Sequence, residues 1–555
     1  MVRICKKAIF LFVVVCLVTP HSYAAVDCEG KIETACRVSV KKAEKLEAKA
    51  IKLTKRAEKY KARFIKRWSK RCEKSDALTT LSSRCERMQA AYESKFEAFS
   101  SRLQNFQDTV AISAETAVNA CSGQCVISLE ELRIVEERVP NESQEDSQGD
   151  SQEEVNEQTD AAMQYLKAQQ PVQGANVGIS LAASRSGVIF AGTDGEMVNG
   201  QKRGAVHVFE RLEGSSEYQH TARIIANEPR QGKDMGFRIA TSYDGRTLVA
   251  SAISVGIVYV FERAEDGWHE TARLRRGQDQ GGFGSSLAVS EDGNVIFVAA
   301  PGASVYDPEQ PQRGRLVNAG GVQIYQRTES GWVPSIFVQE PQPYSLTNCA
   351  QDIAYSQGVL VFGCPFAGRG IDYAGWIQLF EVELDGSRAR HLEKIDSPNA
   401  QEGGYFGFSV AIDSDVLAVG AIGEAETGRA YIFNRDSEGY NVVREVTPIN
   451  TQNRASFGWD IAALEGRVVV GAPDSHRVNF YAGSVHEYVK RDATWVEAGL
   501  YSATPTADRY DRFGKSVALL SDSVIAGAPN EDSGGSDPND NSLPESGALY
   551  KIPVQ

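Results

Sequence analysis

"SFGWDIAALEGRVVVGAP" (Ser456–Pro473) and "RFGKSVALLSDSVIAGAP" (Arg512–Pro529) spell one unit twice. Each opens on Phe-Gly, runs through an alternating stretch, turns, and closes on Gly-Ala-Pro. Short alternating runs bounded by turn residues are strands, so each copy reads as a hairpin. The same pattern opens at Val177, Met235, Phe283, Cys349 and Phe406, giving seven units whose starts lie 48 to 66 residues apart. Most continue with a Gly-led aromatic strand such as "GRAYIFNR" (residues 428–435), and many add an outer strand such as "GYNVVREV" (439–446). Four short strands per unit, repeated seven times, predict a mainly β chain built as a seven-bladed β-propeller over residues 161–555.

The unit carries its own packing instructions. Gly458, Ala462, Gly471 and Ala472 are small, which suggests that innermost strands crowd near the axis. The Phe is expected over the Gly-Ala of its own hairpin, and Pro473 is expected to end the strand. In the fourth unit Cys349 replaces the Phe and Cys364 replaces the Ala, with the hairpin centre near Gln357. A cross-strand disulfide between them follows. The last strand, Ser546–Val554, lacks an outer partner. "AAMQYLKAQQPVQG" (Ala161–Gly174) aligns with "HTARIIANEPRQG" (His220–Gly232), so Met163–Ala168 is expected to supply it and close the ring.

A chain of 555 residues is too long for one ordinary domain. Residues 1–24 read as a secretory signal peptide: Arg3, Lys6 and Lys7, an apolar run from Ala8 to Val18, and small residues before the cut. Residues 27–137 lack helix breakers over most of their length and show two seams of apolar residues at spacings of three and four. They read as an antiparallel α-helical hairpin, a coiled coil. Cys36 with Cys121 and Cys72 with Cys85 share one antiparallel register, and Cys28 with Cys125 lies close to it, so three disulfides are expected to staple the hairpin. Its first arm, residues 31–74, holds seventeen Lys or Arg against five Glu. That arm is either a solvated face, the plainer reading, or a contact for an anionic surface. Residues 138–160 are acidic and nearly free of large apolar groups, which predicts a disordered linker. No later run is long enough to span a bilayer. The protein is therefore expected to be exported: periplasmic, cell-surface or secreted.

The Phe-Gly and Gly-Ala-Pro units resemble the FG-GAP repeats of the integrin α-chain N-terminal propeller and of many exported bacterial proteins. The resemblance covers residues ~160–555. It implies a propeller used for extracellular binding, with Ca²⁺ often held in Asp-rich loops between the two strands of the hairpin. The corresponding loops here, among them "SRSG", "SYDGRT" and "SDS", are tight turns without spaced oxygen ligands. Integrin-type Ca²⁺ sites are expected to be absent and no cofactor is expected. A different loop, Asn530–Ser542, is the remaining candidate: Asp532, Asp537 and Asp540 could gather there, or form a plain acidic surface.

Six His remain beyond the signal peptide, none at metal-ligand spacing; His207, His220, His269, His391 and His486 read as strand-surface residues. No nucleophile elbow or phosphate-cradling loop appears. The expectation is a non-enzymatic exported binding or adhesion protein. Its propeller face would meet a protein or glycan, with Val305–Asn318 and Phe366–Tyr373 as contact loops and the hairpin as a spacer or oligomerisation arm. A nucleic-acid partner is not expected. The alternatives are a glycan-active enzyme with loop carboxylates, or a cell-envelope component whose basic hairpin binds anionic polymer.

Overall fold

The computed structural model describes residues 163–554, apart from 199, 213, 216, 228–233, 369, 438, 449–454, 477, 480, 493, 504–507, 536 and 539. The signal peptide, the hairpin with Cys28, Cys36, Cys72, Cys85, Cys121 and Cys125, and the acidic linker lie outside the described residues.

Blade 6, which contains the first quoted stretch, shows how the unit folds. Its first strand, Ile461–Leu464, turns at Glu465 and Gly466 into its second, Arg467–Ala472. Both turn residues have positive φ, 51° and 72°. That backbone twist matches the twist of the flanking strands and makes the hairpin tight. The third strand, Ser484–Arg491, and the outer strand, Thr494–Tyr501, complete an antiparallel sheet. Val468, Val469 and Val470 are all fully buried, because the second strand has a neighbouring blade on each face.

Seven such four-stranded sheets follow one another. Their first strands are Ser180–Ala183, Ile239–Thr241, Leu287–Val289, Ile353–Ser356, Phe406–Asp413, Ile461–Leu464 and Ser516–Leu520. Each touches the next, and the last touches the first, so they form a closed hub. The seventh blade takes its outer strand, Gln164–Leu166, from the start of the described chain, pairing Tyr165 with Tyr550. This is the closure the sequence alignment predicts. Lys167, just beyond that strand, forms an ion pair with Glu531 and donates to Ser546 Oγ at 2.8 Å, both on the blade 7 loop.

The Phe-Gly motif is a seam between blades. The Phe457 amide donates to Thr427 O of blade 5 at 2.9 Å, and Phe457 forms a parallel bridge with Gly428. Phe406 with Gly375 and Phe513 with Gly483 repeat the bridge. The Phe457 ring is fully buried, in one cluster with Ala472 of its own hairpin and 5.0 Å from His486 on its own third strand. The apolar clusters accordingly span adjacent blades, blades 5 and 6 in this case.

The expectation that glycine is small because of crowding at the hub needs correction. Gly471 lies on the second strand, not the innermost. A Cβ there would stand 2.1 Å from the Gly514 carbonyl of blade 7; at Gly420 it would stand 2.2 Å from Gly458 O, and at Gly363 1.8 Å from Gly407 O. Backbone meets backbone across the seam, so the Gly of one blade's Gly-Ala faces the Gly of the next blade's Phe-Gly. In blade 4 the predicted disulfide joins Cys349 and Cys364 across a Cα–Cα distance of 4.0 Å.

Candidate functional site: the two ends of the axis

Two residues after the Gly of each Phe-Gly, the first strand carries a polar group. Ser180, Ser409 and Ser516 donate Oγ–H to the Gly carbonyl of the next blade, Gly236, Gly458 and Gly178, at 2.7, 2.7 and 2.6 Å. Asp352 and Asp460 do the same work with opposite polarity, accepting the amides of Val410 and Val517 at 2.9 and 2.7 Å. Ser286 Oγ donates to Asp352 Oδ1 at 2.7 Å. Six of the seven seams are thus clipped near the axis. The seventh position holds Arg238, whose guanidinium lies 4.8 Å from the Phe237 ring centre instead.

Arg238 acts electrostatically on Asp352, Asp460 and Lys515, from blades 4, 6 and 7. Groups on blades that are not neighbours come within reach of one another's charge only across the axis, so these side chains face the centre of the ring. Asp352 and Asp460 keep a little contact with water but have protein around them, and a carboxylate there is poorly solvated. Burial pushes the Asp460 carboxyl up to about 7, with the Asp352 charge reinforcing it. Burial raises Asp352 as well.

The far end of the channel is plugged by the hairpin turns. Arg185, on the blade 1 turn, reaches across the axis to Asp413 of blade 5 at 2.5 Å and to Glu465 of blade 6 at 3.6 Å. Its guanidinium lies 4.4 Å from the ring centre of Tyr243 on the blade 2 turn. Neighbouring turns are tied to each other: Tyr243 N donates to Glu291 O at 3.1 Å, Gln357 N to Glu291 Oε1 at 2.6 Å, and Glu465 N to Asp413 Oδ2 at 2.7 Å.

The near end, where the first strands begin, is a mouth lined by the residue that follows each Phe-Gly. Phe237, Phe408, Trp459 and Lys515 stand there, all half-buried. Phe408 and Trp459 pack with ring centres 5.0 Å apart, and Lys515 Nζ lies 3.5 Å from the Trp459 ring centre. Among the described residues no carboxylate lies within ion-pair distance of Lys515. Burial pushes its pKa down to about 8; the Arg512 and Arg238 charges push the same way, and those of Asp474 and Asp460 oppose them. Two aromatic groups flank this mouth on the same end of the blades. Phe366, Tyr373 and Tyr405 gather at the blade 4–5 seam, with Tyr373 and Tyr405 stacked at 6.1 Å. His476, Tyr481 and Tyr510 gather at the blade 6–7 seam, with Tyr481 and Tyr510 stacked at 5.6 Å. Tyr373 and Tyr510 are about half exposed.

The contact loop Phe366–Tyr373 is therefore part of an aromatic surface. Val305–Asn318 folds into a small ribbon, Val305–Tyr306 against Arg315–Leu316, with Tyr306 exposed. In the acidic loop, Asp532 Oδ1 accepts the Glu545 amide at 2.8 Å, and Asp540 accepts from Gly534 N and from Ser542 N and Oγ. The structure does not bring Asp532, Asp537 and Asp540 to one point. Among the described residues the one acid–sulfur trio with converging ligand atoms is Glu340, Cys349 and Cys364, and both its sulfurs are spent in the disulfide. No described helix is long and apolar enough to cross a membrane.

Two histidines read as surface groups are in fact buried. His207 bonds to Glu196 Oε2 through Nε2 at 2.7 Å and to His220 Nε2 through Nδ1 at 2.9 Å; burial, then the His207 charge, push His220 down to about 4. His486 is fully buried, 3.1 Å from Glu497 Oε1. His269 is exposed, as expected. Lys515, Trp459, Phe408 and Arg238 carry no motif of their own. Stacking the seven units would expose them as one variable and one polar column beside the Gly that six of the seven units carry.

Residues 391–433, from the outer strand of blade 4 through the third strand of blade 5, match the FG-GAP repeat family. No curated protein sequence matches the chain. Similar solved structures include the RRP9 WD40 repeats (13% identity over 72% of this chain and 100% of that one, TM-score 0.45). The mitotic checkpoint complex (11%, 75% and 100%, TM-score 0.43) and Saccharomyces cerevisiae Sqt1 (11%, 71% and 99%, TM-score 0.41) are comparable. Likeness at this level carries no argument about function. With the matched segment set inside a ring that repeats the same unit seven times, the chain carries an FG-GAP-type seven-bladed propeller.

Proposed function

We propose that the chain is an exported, non-enzymatic binding or adhesion protein whose propeller presents the mouth end of its axis to a ligand. The helical hairpin expected upstream serves as a spacer or oligomerisation arm. One observation carries the reading: aromatic side chains gather around one end of the axis, half-exposed, while the turns at the other end are bonded shut. Exposed aromatic groups grouped on one surface are what ligand-binding faces offer, and their burial on contact supplies the affinity. The buried loop acids favour binding over hydrolysis. Glu196 is bonded to His207 and Arg223, Glu424 to Ser397 and Tyr431, and Glu531 to Lys167, so each holds its own loop in place.

The test is a protein and glycan array probed with the full chain and with its Tyr373→Ala/Tyr481→Ala variant. Binding that the double variant loses supports the reading. Binding untouched by it, or glycan turnover that depends on loop carboxylates, contradicts it.

A further inference from the structure

We infer that the axial mouth receives a carboxylate side chain from an acidic segment of a protein partner, held by Lys515 and Arg238 against the Phe408–Trp459 pair. This rests on the reading of the mouth end as the binding face and names the chemistry it selects.

The cation is in place without its anion. Lys515 Nζ stands over the Trp459 ring at 3.5 Å, with no carboxylate in ion-pair reach among the described residues. Ring contact offsets only part of what an ammonium loses on leaving water. Arg238 is the one member of its ring of positions that does not clip a seam; it lies over Phe237 and bears on the same channel. The two acids that bear on Lys515, Asp474 and Asp460, cannot serve it fully, because Asp474 is already engaged by Ser456 and Arg512 and Asp460 by the Val517 amide. An incoming carboxylate would give Lys515 a charge-assisted partner in a poorly hydrated place, where such a bond is strongest.

The surroundings point to a protein rather than a sugar. Recognition of a pyranose by stacking needs an open ring face. Here Lys515 and Phe408 both pack on Trp459, and the flanking tyrosines stack in pairs, Tyr373 on Tyr405 and Tyr481 on Tyr510. Half-exposed aromatic rings thus stand beside the Arg238 and Lys515 cations. That is the composition of the anchoring centre of protein interfaces.

The experiment selects a displayed random heptapeptide library on the full-length chain, then measures recovered peptides on wild type, Lys515→Gln and Tyr373→Ala/Tyr481→Ala. Recovered peptides are expected to share an Asp or Glu. Their affinity is expected to fall at least tenfold on Lys515→Gln, to fall similarly when that acid becomes its amide, and to weaken with added salt. Peptides lost on the tyrosine variant but unchanged on Lys515→Gln overturn the carboxylate inference and leave the binding face standing. Peptides indifferent to every variant overturn both. An empty selection, or capture of acidic oligosaccharides in place of peptides, overturns the inference. A second readout needs no partner: brief acylation at pH 8 should label Lys515 ahead of the exposed lysines, and a bound acidic peptide should protect it. Absence of that label is equally contrary.

Discussion

The two ends of the axis use the same kinds of residue to opposite effect. At the turn end, Arg185 lies against Tyr243 and is paired with Asp413, and the turns around it exchange backbone hydrogen bonds. At the mouth, Lys515 lies against Trp459 and has no ion-pair partner among the described residues. A cation over an aromatic ring is thus a structural bolt where its acid is supplied by the chain, and on our inference a contact for a partner's acid where it is not. Asp474 and Asp460 bear on Lys515, but Ser456 and Arg512 have claimed the one and the Val517 amide of the next blade the other.

Four changes test this contrast. The largest effect should come from a seam shared by both ends. Gly471→Ala would set a Cβ 2.1 Å from the Gly514 carbonyl and should cost about 3 kcal/mol, read as a lower denaturant midpoint. A neutral result would mean that the seams yield easily. Arg185→Met comes next. It leaves Asp413 with the Glu465 amide but without its counter-charge, and since Arg185 is one-third exposed the loss should be about 2 kcal/mol, with ligand binding at the mouth retained.

Asp460→Asn sharpens the account of the channel between the ends. The folded carboxyl is raised from 3.8 to about 7, so between those values the native state holds a proton that the unfolded chain releases. The contribution of Asp460 is complete below pH 4 and is lost as pH rises through 7. The Asn variant should therefore gain on wild type by roughly 1–3 kcal/mol between pH 4 and 8, seen as a converging or crossing pair of Tm curves. A gap that does not change with pH would contradict the buried, proton-holding carboxyl. The smallest stability effect is expected for Lys515→Gln, within about 0.5 kcal/mol of wild type.

Local signals made the frame legible. Alternation and turn residues mark each hairpin, Cys349 and Cys364 occupy matched positions, and Met163–Ala168 aligns with outer strands of other blades. Each of these needs only one unit compared with another. The reason for Gly471 is not legible in one unit because its steric partner, Gly514, belongs to the next blade, and the sequence alone suggests the hub as the crowded place. His207 and His486 fall on third strands, whose alternation cannot tell a solvent face from one covered by a neighbouring blade. The channel was invisible for a stronger reason. Arg238, Asp352, Asp460 and Lys515 are brought together only when the ring closes, across separations no motif spans.

The most direct test sets Arg185→Met beside Lys515→Gln and measures thermal unfolding and mouth-end peptide binding for both. The account predicts a double dissociation: Arg185→Met lowers Tm and keeps the peptide, while Lys515→Gln keeps Tm and loses at least tenfold in affinity. If both variants lose stability and binding together, or Lys515→Gln destabilises the fold as much as Arg185→Met does, the two ends are not different devices.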